Sequence, residues 1–228
     1  MTRARHQLID LSATSYYHVI NRCVRRSFLC GDDPYIKRNY DHRRQWLVDR
    51  IKRLSSIFSI NIAAYAIMSN HYHLVLQVDK VHADMWSMDE VIDRWYQLYN
   101  GHPIVDEYLT NPDISPIKLA KVEEFSELWR ERLYDISWFM KCLNEHISRE
   151  ANREDNCTGK FWEGRFKSQA LLDEKALLSC MAYVDLNPIR AGIATSVEDS
   201  EFTSISERIK QYKSHQRQQK TKYRLPCT

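Results

Sequence analysis

Ser69-Asn70-His71-Tyr72-His73-Leu74-Val75-Leu76 sets two histidines either side of one bulky residue, at the head of an apolar run. Side chains on a strand alternate between its faces, so His71 and His73 share one face, about 7 Å apart along the backbone. Tyr72, Leu74 and Leu76 share the other, which suits a core. Two imidazoles on one face of a rigid strand are a ready pair of metal ligands. The same pattern also serves a polar patch in which one histidine is exposed and the other hydrogen-bonded.

The run before this stretch, Ile57 to Met68, is rich in β-branched and aromatic residues and reads as a strand. Only Ser69-Asn70 separates it from the strand His71 to Val78, so the two must form an antiparallel hairpin. The histidines stand at its turn end, where a site can open. Ser15 to Arg22 reads as an earlier strand, followed by the cations Arg22, Arg25 and Arg26. Asp32 or Asp33, with Pro34 next, predicts a helix running to about Leu54. Tyr40, Leu47, Ile51 and Leu54 mark its apolar side, and its arginines and lysines read as a solvated face.

Residues 79–116 break the pattern. Trp86, Trp95, Tyr96, Tyr99 and Tyr108 are punctuated by Pro103, Pro112 and Pro116, which reads as a helical insertion. Its aromatics suit base stacking or packing of the insertion itself, and its acidity disfavours phosphate. From Ile117 to Asn152 further helices are expected, with Leu128, Leu133, Ile136, Met140, Leu143 and Ile147 on one face. Gly159-Lys160-Phe161-Trp162-Glu163-Gly164-Arg165-Phe166-Lys167-Ser168 then leads into a fourth strand, with Arg165 and Lys167 facing outward. Cations interleaved with aromatic rings are what a single-stranded nucleic-acid groove uses, the cations tracking phosphates and the rings accepting bases. Asp173 is placed to cap a helix from Glu174 to Leu186, with Leu177, Met181 and Val184 as its buried seam. Ser179, Tyr183 and Asn187 follow at i, i+4 and i+8 on a more polar side, and Pro188 stops the helix.

The chain has 228 residues, 43% of them hydrophobic, enough for one large domain with an insertion. No run approaches the ~18 apolar residues of a membrane span. None of the six cysteines forms a C-x-x-C pair, which argues against a zinc knuckle and fits a reducing, cytoplasmic setting. Net charge is +3, but Asp79 to Glu127 holds eleven acidic residues against four basic ones. The rest of the chain is therefore strongly basic, and residues 208–228 form a basic tail. A basic body suggests a polyanion partner that meets only part of the surface.

A divalent cation on two histidines and an amide oxygen keeps open positions and can act as a Lewis acid on a phosphate. A helix tyrosine facing it becomes a competent nucleophile. Attack on a DNA phosphodiester gives a phosphotyrosine and a free 3′-hydroxyl, and rejoining then needs no ATP.

At this point a resemblance becomes visible. Ala66-Ile67-Met68-Ser69-Asn70-His71-Tyr72-His73 looks like the His-hydrophobic-His motif of the HUH superfamily. Tyr17-His18-Val19-Ile20-Asn21-Arg22 and the Gly159 to Ser168 run are similar to stretches of its single-tyrosine transposases. Tyr183-Val184-Asp185-Leu186-Asn187-Pro188-Ile189-Arg190-Ala191-Gly192 resembles the Tyr-x-x-x-Asn-Pro-x-Arg-Ala-Gly run of REP-associated tyrosine transposases. The likeness covers Ser15 to Val78 and about Asp135 to Ala194. Two features depart from it: Tyr72 replaces the usual aliphatic residue, and 79–116 is longer than the family needs.

The resemblance implies an α+β fold, an antiparallel sheet of four to five strands flanked by helices, ferredoxin-like as in HUH endonucleases. It implies Mg²⁺ or Mn²⁺ held by His71, His73 and Asn187, with Tyr183 as nucleophile. Arg22, Arg25, Lys160, Arg165, Lys167 and Arg190 are the candidate DNA contacts. The implied activity is cleavage and rejoining of single-stranded hairpin DNA from repetitive palindromic elements, by a monomer or a homodimer. Two other readings stay open: a non-cleaving regulator that binds hairpin DNA or RNA, and a metal nuclease in which water attacks.

Overall fold

The computed structural model describes residues 8–24, 29–33, 37–111 and 113–222. Arg25 lies outside them. The described strands are β1 (Tyr16–Arg22), β2 (Asp32–Asp33), β3 (Arg38–Asn39), β4 (Ile60–Ile67), β5 (His71–Val78) and β6 (Lys167–Ala170). The described helices are α1 (His42–Ile57), α2 (Lys80–Asp84), α3 (Met88–Tyr96), α4 (Pro103–Thr110), α5 (Pro116–Leu133), α6 (Ile136–Glu154), α7 (Glu174–Asp185), α8 (Asn187–Arg190) and α9 (Ser204–Lys222). The fold is α+β, built on a four-stranded antiparallel sheet of order β4-β5-β1-β6, with helices flanking it. β2 and β3 form a separate two-stranded ribbon.

Contacts divide the chain into two compact units, one of residues 1–45, 62–76 and 162–228 and the other of 46–61 and 77–161. In the first unit the β4–β5 turn is closed by the Met68 amide, which donates to the His71 carbonyl at 2.8 Å. β1 runs antiparallel to β6, pairing His18 with Gln169 and Ile20 with Lys167. Paired residues share a face, so His18, Ile20, Lys167 and Gln169 project together. Ala64, Ala66, Met68, Val75, Leu171 and Val184 form the apolar cluster under α7, with Leu177 and Met181 partly buried against it. Val75 follows His71 and His73 on their face of β5, so α7 covers the histidine side of the sheet. Tyr72, Leu74 and Leu76 are buried on the opposite side, where the Tyr72 ring meets Trp162 edge-on at 5.6 Å.

Asp173 caps α7 as its spacing requires, its side chain accepting from the Ala176 amide. Two residues past Tyr183, the buried Asp185 carboxylate accepts from Ser204 Oγ at 2.7 Å and from the Ile205 amide at 3.1 Å, and pairs with Arg208. Ser204 Oγ also accepts from the Tyr65 amide of β4 at 2.9 Å. Arg208, the first residue of the expected basic tail, therefore helps to hold α7. α7 stops at Asp185, before Pro188 as expected, and Pro188 then sits in the first turn of the short α8, where a missing amide hydrogen costs nothing.

The helix expected from Pro34 begins instead at His42. Gly31 (φ 99°) and Lys37 (φ 52°) adopt left-handed backbone, which a right-handed helix cannot pass through. Asn39 Oδ1 then accepts from the Asp41 amide and turns the chain into α1. Not all of the helix's arginines are solvated. Arg43 is fully buried, its guanidinium 3.9 Å from the Tyr40 ring centre.

In the second unit, α2 to α4 pack on α5. Ser87 caps α3 and Ser115 caps α5, which has Pro116 in its first turn. Trp86 and Trp95 are buried, and Trp95 stacks on Trp129 with planes 6° apart. These tryptophans pack and do not present faces to bases. Arg94 lies over the Trp86 ring and donates to the Ser56 and Ile57 carbonyls at the end of α1. Leu133, Ile136, Met140, Leu143 and Ile147 are buried as expected, whereas Leu128 is exposed.

Candidate active site

The turn end of the hairpin holds a cluster of three imidazoles. His71 and His73 come from β5, two residues apart on one face, and His18 comes from the neighbouring β1. His71 Nε2 lies 3.1 Å from His73 Nε2. His71 Nδ1 lies 2.6 Å from Asn70 Oδ1, and His73 Nδ1 lies 2.9 Å from His18 Nε2. The Asn187 amide, opening α8, reaches His73 Nε2 at 3.2 Å. His18, His73 and Asn187 are buried and His71 is half-buried.

Burial penalises the charged form of each ring. It lowers His18 and His71 below the ordinary histidine value, with the Arg22 charge adding to the effect on His71. His73 is pushed down to about 3, by burial first and then by His71, His18 and Arg22. All three rings are thus neutral near pH 7, the state in which an imidazole lends a lone pair.

Tyr183 projects from the last turn of α7 beside this cluster. Its ring centre is 5.7 Å from that of His73 and 6.3 Å from that of His18, both nearly edge-on. The ring is 40% exposed, and its hydroxyl makes no hydrogen bond to a described residue. The Arg190 guanidinium of α8 lies 5.2 Å from the Tyr183 ring centre. One chain therefore brings together Tyr183, His71, His73, Asn187 and Arg190.

Beside the cluster on the first unit is a cleft of about 360 Å³ lined by Ile20, Asn21, Arg22, Glu163, Gly164, Arg165 and Lys167. It collects three of the candidate cations, with Glu163 as a single opposing carboxylate. Lys160 is exposed on the second unit and is not among the lining residues.

Among the described residues no three His, Cys, Asp or Glu side chains gather as a metal cluster. The candidate ligand set is two imidazoles and an amide. It fits a small divalent cation: two nitrogens at adjacent corners of an octahedron with bonds of about 2.1 Å stand about 3.0 Å apart, against 3.1 Å between the two Nε2 atoms. Amide nitrogen and oxygen exchange places by a half-turn, so Asn187 can present its oxygen to the same point.

Sequence reasoning left His18 out of the site. The available signal was its period-two relation to Ile20 and Arg22 on one strand face. What was missing was the knowledge that β1 lies next to β5. Asp185, which anchors the tyrosine's helix, also went unnoticed among the residues between Tyr183 and Asn187.

No family model matches the chain, and no curated protein sequence matches it. Among solved structures, the chain is similar to a REP-associated tyrosine transposase bound to a REP hairpin, with a TM-score of 0.53 and 14% identity. The fold is that of this transposase. The match covers 91% of this chain and 84% of the transposase chain, so it takes in both units described above. At this identity the likeness is one of fold. No helix among the described residues is long and apolar enough to cross a membrane.

Proposed function

We propose that this chain is a metal-dependent, single-tyrosine DNA transposase, an endonuclease and strand transferase acting on single-stranded, hairpin-containing DNA. The observation that carries this reading is the meeting, in one chain, of an exposed tyrosine with neutral histidines from a different element. A structural role for the histidines alone gives no reason for a free phenol beside them. The fold likeness to a transposase bound to a REP hairpin supports the same substrate class.

His71, His73 and Asn187 are the residues that would hold Mg²⁺ or Mn²⁺. A cation bound there would withdraw charge from a phosphate oxygen as a Lewis acid. Tyr183 Oη attacks phosphorus, a P–O bond forms to the phenol, and the bond from phosphorus to the 3′ oxygen breaks. The phenol proton leaves to solvent and the departing 3′ oxygen takes one up. The product is a 5′-phosphotyrosine and a free 3′-hydroxyl, and the reverse attack reseals the strand. Arg190 holds the tyrosine ring by its face and adds positive charge where the phosphate sits. Arg22, Arg165 and Lys167 hold neighbouring phosphates in the cleft.

The test is an end-labelled hairpin oligonucleotide with a single-stranded flank, incubated with Mg²⁺ or Mn²⁺ and resolved under denaturing conditions. The expected result is a covalent protein–DNA band that is absent from Tyr183→Phe and His71→Ala. An adduct formed by Tyr183→Phe rules out the assigned nucleophile. Cleavage with no adduct indicates attack by water. Salt-dependent binding with neither adduct nor cleavage indicates a hairpin-binding regulator.

A further inference from the structure

We propose that His18 is a positioning residue that decides which nitrogen of His73 carries the proton, and thereby makes His73 able to hold a divalent cation. This rests on the reading of His71 and His73 as ligands and extends it to a residue outside the ligand set.

An amide oxygen only accepts, so the 2.6 Å contact with Asn70 Oδ1 puts the proton of neutral His71 on Nδ1. His71 Nε2 therefore turns a bare lone pair toward His73 Nε2. Two placements remain for the proton of His73. With the proton on Nε2, His73 donates to His71 and accepts at Nδ1 from His18, so its lone pair faces away from the site. That form cannot ligate at Nε2.

With the proton on Nδ1, His73 donates to His18 Nε2 and accepts from Asn187 at Nε2. Two Nε2 lone pairs then converge 3.1 Å apart with no proton between them. Neutral nitrogens in that arrangement repel unless a cation lies between them. The ligand-ready state therefore requires His18 to accept at Nε2 and carry its own proton on Nδ1. The rings suit this: their planes are 12° apart with centres 5.2 Å apart, so they meet edge to edge with the bond near both ring planes, where the lone pairs lie. Ligating histidines ordinarily donate their second nitrogen to an outer partner that fixes the tautomer. Here that partner is a third imidazole, which can reverse its role as donor and acceptor where a carbonyl or carboxylate cannot.

The test has two readouts that do not depend on DNA cleavage. Mn²⁺ binding is measured by electron paramagnetic resonance for the wild type, His71→Ala, His18→Phe and His18→Gln. His18→Phe removes the acceptor and keeps an apolar ring, and is expected to weaken binding by roughly 10- to 100-fold. His18→Gln restores an acceptor oxygen and is expected to recover much of that loss. In parallel, nitrogen-15 histidine spectra with Mg²⁺ are expected to show the His73 proton on Nδ1 in the wild type. If the wild type binds Mn²⁺ no better than His71→Ala, the ligand assignment itself fails. If the wild type binds and His18→Phe binds equally well, the role of His18 is overturned while the ligand assignment stands; if His73 holds its proton on Nε2 with Mg²⁺ present, His73 does not ligate at Nε2 and both readings fail. If His18→Phe does not fold, the His18 signals of the wild type with Mg²⁺ decide the matter: a proton on His18 Nδ1 is expected, and one on Nε2 overturns its role.

Discussion

Acid should destabilise this protein well before its carboxylates titrate, and His73 sets the minimum size of the effect. The native ring is held down to about 3, whereas the unfolded chain titrates at the ordinary 6.5. Between those values the unfolded state binds a proton that the native state refuses, so stability falls as pH falls. From pH 7 to pH 5 this one site costs about 2 kcal/mol, at 1.36 kcal/mol for each unit below 6.5. His18, His71 and His146 are also lowered by burial and act with the same sign. The experiment is urea unfolding in EDTA at pH 7, 6 and 5, for the wild type and for His73→Gln. The wild type should lose about 2 kcal/mol or more over this window. The variant, less stable at pH 7, should lose less by about 1.3 kcal/mol per pH unit near pH 5. A wild-type stability that is flat from pH 7 to 5, or an unchanged slope in the variant, would refute the claim that His73 is buried in its neutral form.

Three further outcomes are expected. Asp185→Ala removes the acceptor shared by Ser204 Oγ, the Ile205 amide and Arg208, and should cost about 3 kcal/mol of unfolding free energy; a loss under about 1 kcal/mol would show that the network does not hold α7. Arg22→Ala combined with Lys167→Ala removes two of the three cations of the cleft. Binding to single-stranded DNA should weaken and the slope of log affinity against log salt should flatten by roughly 0.7 per lost phosphate contact, so an unchanged slope in a filter-binding titration would remove the cleft from the DNA path. Trp95→Ala opens a hole beside Trp129 and Trp138 and should cost about 3–5 kcal/mol by denaturant unfolding; near-neutral behaviour would mean that these rings are not a packed core.

The parts of the fold legible in sequence were those set by nearby residues. A two-residue connection allows only an antiparallel hairpin, and period-two alternation fixes which side chains share a face. The strand expected from His71 to Val78 is the strand found. Asp173 at the head of an apolar helical run is likewise a local signal, and it caps α7 through the Ala176 amide. The expected helix start at Pro34 failed because a good cap and a proline say nothing about the left-handed backbone at Lys37, which the β2–β3 ribbon imposes. The same limit explains Arg43. Its charge pattern fits a wet helix face, and although the Tyr40 ring against it is only three residues away, the burial of Arg43 comes from the packing of the folded chain. His18 required the strand order, which joins residues 55 positions apart.

That division between local and distant information also describes how the candidate site is held. His71 and His73 sit on a strand with hydrogen-bonded neighbours on both sides, and their ring nitrogens meet Asn70, His18 and Asn187. The tyrosine half is built differently. Tyr183 is exposed, its hydroxyl is free of described partners, and its ring is held on one face by Arg190. What fixes its approach to the imidazoles is the helix beneath it, clamped two residues later by Asp185 to the start of α9 and, through Ser204, to β4. β4 is the hairpin partner of the histidine strand. The Tyr183–His73 distance is thus set by a chain of contacts that returns to the same hairpin. It follows that loosening Asp185 should disturb the tyrosine while leaving the imidazole pair in place.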